Sequence, residues 1–194
     1  MAMQFPHIEP DQRGFIERQH IFFTASATGD SRVNLSPKGL DALRVLDETH
    51  ICYMDRTGSG NETSAHLKAD GRLTVMFCAF DGPPLILRLY GRGKVLHRGS
   101  PEYAELLASA FNGDEPPGAR QIVLLDIDLV QTSCGYGVPL HDYKGERPSL
   151  TNWAIKQGEN GIAAYWRQKN LTSMDGLPTG LPVTPQDGDD ATPD

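Results

Sequence analysis

Two short segments of the chain combine hydroxyl and basic side chains with glycine, which is chemistry suited to binding an anion. The first, "DRTGSGNETSAHL", spans residues 55–67 and joins an extended run to a helical one. Gly58 and Gly60 permit backbone conformations that other residues avoid, so a sharp turn is expected there. The helix that follows would present free N–H groups to an anion, with Ser59 or Asn61 as its cap. A positive charge and four hydroxyls lie near this helix start, on Arg56, Thr57, Ser59, Thr63 and Ser64.

This segment predicts a phosphate site, and a glycine turn that caps an ordinary helix is the alternative. The segment is not a Walker loop, because no Gly-Lys-Ser/Thr follows the turn. It also lacks the third glycine of the dinucleotide-binding fingerprint.

The second segment, "NLSPKG" at residues 34–39, ends a predicted strand. Pro37 is rigid and Gly39 is free to turn, which would expose the Ser36 hydroxyl and the Lys38 ammonium at the strand end. A simple turn is the alternative here. In "LILRLYGRG", Arg88 interrupts an apolar strand and needs an anionic partner if its face is covered, for which a salt bridge to a carboxylate would suffice.

The elements that must position these residues are mostly strands. Alternating and β-branched patterns predict strands at 20–29, 32–39, 43–55, 72–80, 83–99 and 119–137. Helical patterns occur at 9–19, after Gly60, at 100–111 with Ser100 as N-cap, and in two pieces within 148–170 that break at Gly158 to Gly161. Because strands and helices do not alternate regularly, we expect an α+β fold, a small antiparallel β-barrel with short helices around it.

Two of these strands carry further expectations. Residues 72–80 are apolar on both faces, which predicts a strand inside a barrel or beneath a dimer partner. Gly91 and Gly93 invite a bulge in 83–99. In 119–137 two aspartates, Asp126 and Asp128, are predicted outward, and four apolar residues are predicted inward: Val123, Leu125, Ile127 and Leu129.

Composition narrows the function classes. The 194 residues predict a single domain at 1–175 and a flexible, acidic, Pro/Gly-rich tail at 176–194. No apolar run approaches the roughly 18 to 20 residues that a membrane span needs, and the first residues lack an export signal, so a soluble cytoplasmic protein without membrane contact is expected. The sequence has no stripe of Lys and Arg with interleaved aromatic residues, so nucleic-acid binding is not expected. The three cysteines are widely spaced and indicate neither a disulfide framework nor a metal site.

Four motifs, in order, resemble the pyridoxamine 5′-phosphate oxidase-like family of flavin-binding split β-barrels. They are "VNLSPKG", "RVLD", "YMDRTGSGNETSAHLKADGRLTVMFCAF" and "LRLYGRGKVL", and the resemblance covers roughly residues 12–135. "SCGYGVP" at 133–139 and "KNLTSMDGLP" at 169–178 are similar to the closing segments of one branch of the family. The resemblance implies a split barrel of about six strands and a homodimer that holds FMN in clefts shared between subunits.

By position, the resemblance places three groups of residues around the flavin. Ser36, Pro37, Lys38 and Gly39 would border it from one strand end. The next strand end would contribute Arg56, Thr57, Gly58, Ser59, Asn61, Glu62 and Thr63. Arg88 would meet the phosphate if its face turns to the cleft.

The chain departs from the authentic oxidases at two places. They carry Ser-Arg-Lys where this chain has "GNET". The basic side chains that bind the flavin phosphate there would have to be replaced here by Lys38, Arg56 or Arg88. The authentic oxidases also close with Arg-x-His, where this chain has "SMDGLPTGLP", so pyridoxamine phosphate is not the expected substrate.

The expected function is that of an FMN-dependent oxidoreductase that acts on an unknown small molecule, with no catalytic side chain assigned. A flavin- or haem-binding module without turnover and a deazaflavin-dependent reductase on the same barrel are the alternatives. His66 could face the cleft or meet a backbone group, and Tyr136 could line the substrate side or pack in a turn.

Overall fold

The computed structural model describes residues 2–183, which form eight strands and four helices. The strands are β1 (Met3–Phe5), β2 (Phe22–Ser26), β3 (Asn34–Lys38), β4 (Leu43–Val45), β5 (His50–Arg56), β6 (Arg72–Cys78), β7 (Ile86–His97) and β8 (Ala119–Ser133). The helices are α1 (Pro10–Glu17), α2 (Glu62–Ala69), α3 (Pro101–Phe111) and α4 (Ser149–Lys169). No helix within this range is long and apolar enough to cross a membrane.

One antiparallel sheet holds all eight strands in the order β3-β2-β6-β7-β8-β5-β4, with β1 alongside β8. The long β8 is shared along one edge by β5, which pairs up to Asp126, and by β1, which pairs from Val130 to Thr132. The predicted α+β class and antiparallel sheet are confirmed. The expected six strands become eight because β1 was not predicted and 43–55 folds as two strands rather than one. Asp47 accepts a hydrogen bond from the Thr49 amide at 2.8 Å and so turns the chain between β4 and β5.

Side-chain contacts in the core also join β2 to β5, two strands that are not paired through their backbones. The ring of Phe22 on β2 lies 5.5 Å from the ring of Tyr53 on β5 and 6.0 Å from that of Phe77 on β6. All three rings are almost fully buried in one core that continues along the inner faces of β6, β7 and β8. Since β2 and β5 are not neighbours in the sheet, these contacts show how strongly the sheet curves.

The predicted bulge occurs where β7 and β8 change register. Tyr90 pairs with Leu129 but Gly91 pairs with Ile127, so Asp128 is the extra residue. The inward prediction for Leu129 is therefore wrong. Beyond the bulge the alternation shifts, Leu129 is half-buried on the outer face, and Val130 is fully buried in its place.

Within the single chain β6 is fully buried on one face, where Leu73, Val75 and Phe77 are at most 2% exposed. On the other face Cys78 is 7% exposed while Met76 and Phe80 are half-buried, so the predicted cover by a dimer partner stays a prediction. The outer face of this strand is thus partly open to solvent.

Local signals place the ends of the helices correctly. Ser100 caps α3 by accepting a hydrogen bond from the Tyr103 amide at 3.2 Å, as predicted. The 148–170 region is interrupted at Gly158, which has φ +62° and ψ 177° inside α4. A left-handed backbone at this position favours glycine, so the predicted break is confirmed.

Residues 176–183 are packed, which differs from the tail predicted from residue 176. Thr179 and Leu181 are buried, and Leu181 packs with Ala154, Ile162 and Trp166. Arg32 forms an ion pair with Asp175 and ties this C-terminal region to the loop between β2 and β3. Residues 184–194 of the predicted tail lie outside the described residues.

Candidate functional site

A cleft of about 590 Å³ lies between β3, the end of β5, the start of α2 and the segment 169–174. We call it the phosphate cleft, after the ligand predicted for it from the sequence. Nine of the twelve residues predicted from the sequence line it, namely Ser36, Pro37, Lys38, Arg56, Gly58, Ser59, Asn61, Glu62 and Thr63. Two segments that are distant in sequence are thus brought together as predicted.

The centre of the cleft wall is the buried carboxylate of Asp55. Lys38 Nζ donates to its Oδ1 at 2.7 Å, and Arg120 Nη2 and Gln121 Nε2 donate to its Oδ2 at 2.7 and 2.9 Å. Burial raises the pKa of Asp55, but the charges of Lys38 and Arg120 and their hydrogen bonds outweigh it and hold that pKa well below its usual range. Asp55 is therefore ionised at neutral pH and orients both cations.

A hydrogen-bonded layer supports the start of α2 from below. Gln121 Nε2 donates to Asn61 Oδ1 at 2.8 Å, and Arg120 Nη1 donates to the Gly60 carbonyl at 3.0 Å and to Asn170 Oδ1 at 2.9 Å. Asn170 Nδ2 donates in turn to the Gly58 carbonyl at 3.1 Å. These bonds fix the glycine turn between β5 and α2.

The start of α2 has no side-chain cap. Asn61 occupies the N-cap position, but its side-chain oxygen accepts from Gln121 instead of from the first turn of the helix. The first N–H groups of a helix have no partner within the helix. No side chain of the described residues caps those of α2, and an anion is the kind of ligand that such groups bind.

The cleft has an excess of positive charge in an acidic chain. Its four cationic side chains are Lys38, Arg56, Arg120 and Lys169, and its two carboxylates are Asp55 and Glu62. The excess of two positive charges contrasts with the net charge of −7 of the whole chain. The carboxylate of Glu62 accepts from the amide of Met174, another lining residue, at 3.2 and 3.1 Å.

Three of the twelve predicted residues do not line this cleft. Thr57 is buried, donates to the Gly118 carbonyl at 2.9 Å and accepts from Trp166 Nε1 at 2.7 Å, so it has a packing role. Gly39 lines a neighbouring cleft. Arg88 lies on the outer face of β7, where its Nη1 donates to Ser133 Oγ at 3.3 Å.

Arg56 lines the phosphate cleft but is already engaged. Its Nε and Nη2 donate to the Pro117 carbonyl at 3.1 and 2.7 Å, and Nη2 also donates to Thr151 Oγ1 at 3.1 Å. Three basic residues were predicted to replace the missing Ser-Arg-Lys run. Of these, Lys38 is the one whose ammonium is directed into the cleft wall beside the start of α2.

Arg120 and Lys169 are the two cationic site residues that the sequence patterns did not identify, and the buried carboxylate of Asp55 was also missed. Arg120 stands at the start of the apolar run "ARQIVLL", where a buried arginine requires a partner. The argument applied to Arg88 would therefore also have identified Arg120. Lys169 gave no such signal, since it ends an amphipathic helix where lysine is common.

Two further side chains considered for the site lie elsewhere. His66 is 1% exposed, and its Nδ1 lies 3.0 Å from Ser26 Oγ, a side-chain hydroxyl rather than the expected backbone group. Tyr136 is 82% exposed on the segment between β8 and α4 and does not line the phosphate cleft.

Two comparisons with known sequences indicate the same family. The profile of the pyridoxamine 5′-phosphate oxidase family matches residues 8–134. The pyridoxamine 5′-phosphate oxidase family protein ustO of Aspergillus flavus is 38% identical in an alignment 196 residues long, which spans 92% of this chain and 78% of ustO.

Solved structures share the fold at low sequence identity. A tagged variant of HupZ from Group A Streptococcus matches with a TM-score of 0.53 and 17% identity, over 65% of this chain and 99% of that one. A Lactobacillus delbrueckii protein, provisionally assigned as a pyridoxamine 5′-phosphate oxidase, matches with a TM-score of 0.50 and 19% identity, over 65% and 94%. The profile match and the identity to ustO, together with the split-barrel fold, show that this chain belongs to the pyridoxamine 5′-phosphate oxidase family.

Proposed function

We propose that the protein is a flavin-dependent oxidoreductase that binds FMN through its phosphate in the phosphate cleft and acts on a small molecule. The observation that carries the proposal is the excess of two positive charges around an uncapped helix start. Family membership supports a flavin as the ligand of this anion site. The proposal includes a cytoplasmic location, for which the support comes from the sequence alone.

The residues present fit a phosphate group. Lys38 and Arg120 are held 2.7 Å from the oxygens of Asp55, so both cations are ordered before any ligand arrives. The hydroxyls of Ser36, Ser59 and Thr63 line the same cleft and can donate to phosphate oxygens. Thr63 also accepts from Asn34 Nδ2 at 3.0 Å, which ties the start of α2 to β3.

The protein's own contribution is to bind and position. FMN, when bound, supplies hydride or electron transfer, so no side chain is required as the redox group. Lys38 and the α2 N–H groups would hold the phosphate. Arg120, whose side chain is 4% exposed and already bonded to Asp55, Gly60 and Asn170, would add positive charge at the cleft wall. The phosphate would be held without the Ser-Arg-Lys run of the authentic oxidases, since Asp55 orders cations that come from β3 and β8 instead.

The first test is the absorption spectrum of the purified protein and of the chromophore that heat releases. FMN bands in the released fraction are expected. A protein that neither retains nor takes up FMN would contradict the proposal, and uptake of deazaflavin in its place would favour that alternative. Tight FMN that no electron donor or acceptor can cycle would instead indicate a flavin-binding module without turnover.

The phosphate contribution can be measured directly by comparing FMN with riboflavin. We expect FMN to bind at least about 30-fold more tightly, because charge-assisted hydrogen bonds contribute about 2 kcal/mol. Lys38→Gln should weaken FMN binding about 10-fold and leave riboflavin binding within about twofold. Quenching of flavin fluorescence gives both dissociation constants.

Lys94→Gln is the matched control, because Lys94 is an exposed lysine of β7 outside the phosphate cleft. Its FMN affinity should equal that of the wild type. If Lys38→Gln weakened the binding of FMN and of riboflavin equally, Lys38 would not contact the phosphate. A thermal melt of each variant verifies folding.

We further propose that the protein is a homodimer, with the outer face of the sheet as the interface. The register places Leu35, Ala25, Thr74, Tyr90 and Leu129 in one row across five strands. Leu35 is 63% exposed and the other four residues are half-buried, so the row is a largely apolar strip that is partly open to solvent. Such a strip on a single chain is typical of a protein contact.

Leu35→Glu is expected to shift the protein from dimer to monomer at micromolar concentration, because it would place two carboxylates in an apolar interface. Ile155→Glu is the matched control, since Ile155 is also 63% exposed but lies on α4. Size-exclusion chromatography with light scattering reads out the mass. A monomeric wild type, or a dimer that tolerates Leu35→Glu, would rule out this interface.

A further inference from the structure

A second cleft, of about 640 Å³, shares Pro37 and Lys38 with the phosphate cleft. We call it the aromatic cleft. One wall is the end of β3 and Gly39, and a second is the turn at Phe80 and Asp81 after β6. The third wall belongs to the segment 134–148, which we call the arm and which connects β8 to α4.

Aromatic rings from separate segments meet at this cleft. The ring of Tyr143 on the arm stacks on His20, with centroids 3.6 Å apart and planes 8° apart. His141 on the arm meets Phe80 edge-on at 5.5 Å. Flat ring faces at the wall of a cavity favour planar ligands, because stacking and edge contacts add to the burial of apolar surface.

The charges of the aromatic cleft cancel. Its three cations are Arg18, Lys38 and Arg147, and its three carboxylates are Asp81, Asp142 and Glu146. The phosphate cleft, by contrast, has an excess of two positive charges. A dianionic phosphate ester therefore gains no net attraction in the aromatic cleft, whereas a zwitterion or a neutral ring with polar substituents can find a partner of either sign.

The arm is a solvent-exposed segment that is attached to the barrel by few contacts. Residues 139–149 are exposed, and a hydrogen bond from the His141 amide to the Phe80 carbonyl at 2.9 Å fastens the arm to the barrel. Within the arm, Tyr143 Oη donates to Glu146 Oε1 at 3.1 Å, which keeps the ring over His20. The family profile ends at residue 134, so this wall lies beyond the stretch that the profile matches.

From these observations we propose that the aromatic cleft is a binding site for a planar heteroaromatic small molecule with no net charge. Tyr143 and His141 on the arm provide its selectivity. The role of this cleft as the substrate site of a flavin enzyme rests on the proposed function. Binding of a heteroaromatic ring in the cleft does not depend on it.

The test uses pyridoxine and pyridoxine 5′-phosphate, which share one ring and differ by the phosphate. Saturation-transfer NMR at pH 7.5, on the full chain saturated with FMN, should detect pyridoxine and should show it bound at least about fivefold more tightly than its phosphate ester. Tyr143→Ala should weaken pyridoxine binding about fivefold or more. Tyr136→Ala, which removes a tyrosine of the same arm that does not line the cleft, should have no effect.

The outcomes separate this proposal from the proposed function. A preference for the phosphate ester, displacement of pyridoxine by FMN, or unchanged binding in Tyr143→Ala would each overturn the proposal. A protein that binds FMN but not pyridoxine would overturn it alone. A protein that binds pyridoxine but takes up no FMN would support the site and overturn the flavin proposal instead.

Discussion

Replacing Asp55 by asparagine is expected to lower the free energy of unfolding at pH 7 by about 3–5 kcal/mol. The side chains of Asp55 and Arg120 are 5% and 4% exposed, and Lys38 adds a second cation at 2.7 Å. An amide in place of the carboxylate would leave two neighbouring cations without a counter-charge, one of them buried. Urea unfolding of the two proteins measures the difference.

The same variant should respond less to acid than the wild type does. The pKa of Asp55 is lowered in the folded protein, so its stabilising effect is present above the unfolded-state pKa of about 4 and is lost as the pH falls through the folded-state pKa. At pH 3 the wild type should already have lost about 1 kcal/mol of this contribution. The gap between wild type and variant should therefore narrow from pH 7 to pH 3.

Asp41→Asn is the control for removing a paired carboxylate. Asp41 pairs with Arg44 at 3.0 Å but is 88% exposed, so the loss should stay below about 1 kcal/mol. If Asp55→Asn also lowered the free energy of unfolding by less than about 1 kcal/mol, with a gap to the wild type that does not narrow at low pH, the network around Asp55 would add nothing to stability. The cations would then have to be ordered by other contacts.

Elements whose ends are set by neighbouring residues could be predicted from the sequence. Ser100 followed by Pro101 determines where α3 begins, and Gly158 determines where α4 breaks, because each effect is local. The turn at Asp47 is equally local, but it lies within a run of strand-forming residues, which hid it. Short-range chemistry therefore accounts for most of the fold, apart from the β4–β5 turn and the strand β1.

The candidate site was only half predictable, since its strongest contacts join residues that are far apart in the chain. Arg120 bonds to Asp55, 65 positions away, and to Asn170, 50 positions away. No local pattern reports such a pairing. The outward position of Arg88 could have been predicted, because its neighbours Leu87 and Leu89 are apolar and strict alternation puts Arg88 on the opposite face. Both leucines are fully buried in the structure.

The bulge between β7 and β8 connects the fold to the proposed dimer face. If β7 and β8 kept one register here, Asp128 would pair with Tyr90, Leu129 would point inward and Val130 outward, and the apolar row would end at Tyr90. The conformation at Gly91, where the register changes, is therefore a requirement for the interface as well as for the barrel.

Gly91→Ala is accordingly expected to destabilise the protein by about 3 kcal/mol or more. A Cβ at this position would lie 1.9 Å from the carbonyl oxygen of Asp126, 2.9 Å from its carbonyl carbon and 3.0 Å from the Cα of Ile127. All three are backbone atoms of a central strand, so no rotamer change can relieve the clash, and β7 and β8 must separate or shift their register. Denaturant unfolding gives the loss of stability.

Gly29→Ala is the control, because a Cβ there meets nothing within 4 Å and residue 29 is exposed. Its stability should stay within about 0.5 kcal/mol of the wild type. If β7 and β8 shift their register to accommodate the added methyl group at position 91, the outer face changes too, and any Gly91→Ala protein that still folds should have lost its dimer. A variant that keeps both its stability and its dimer would mean that the close approach of Gly91 to Asp126 is not required by this sheet.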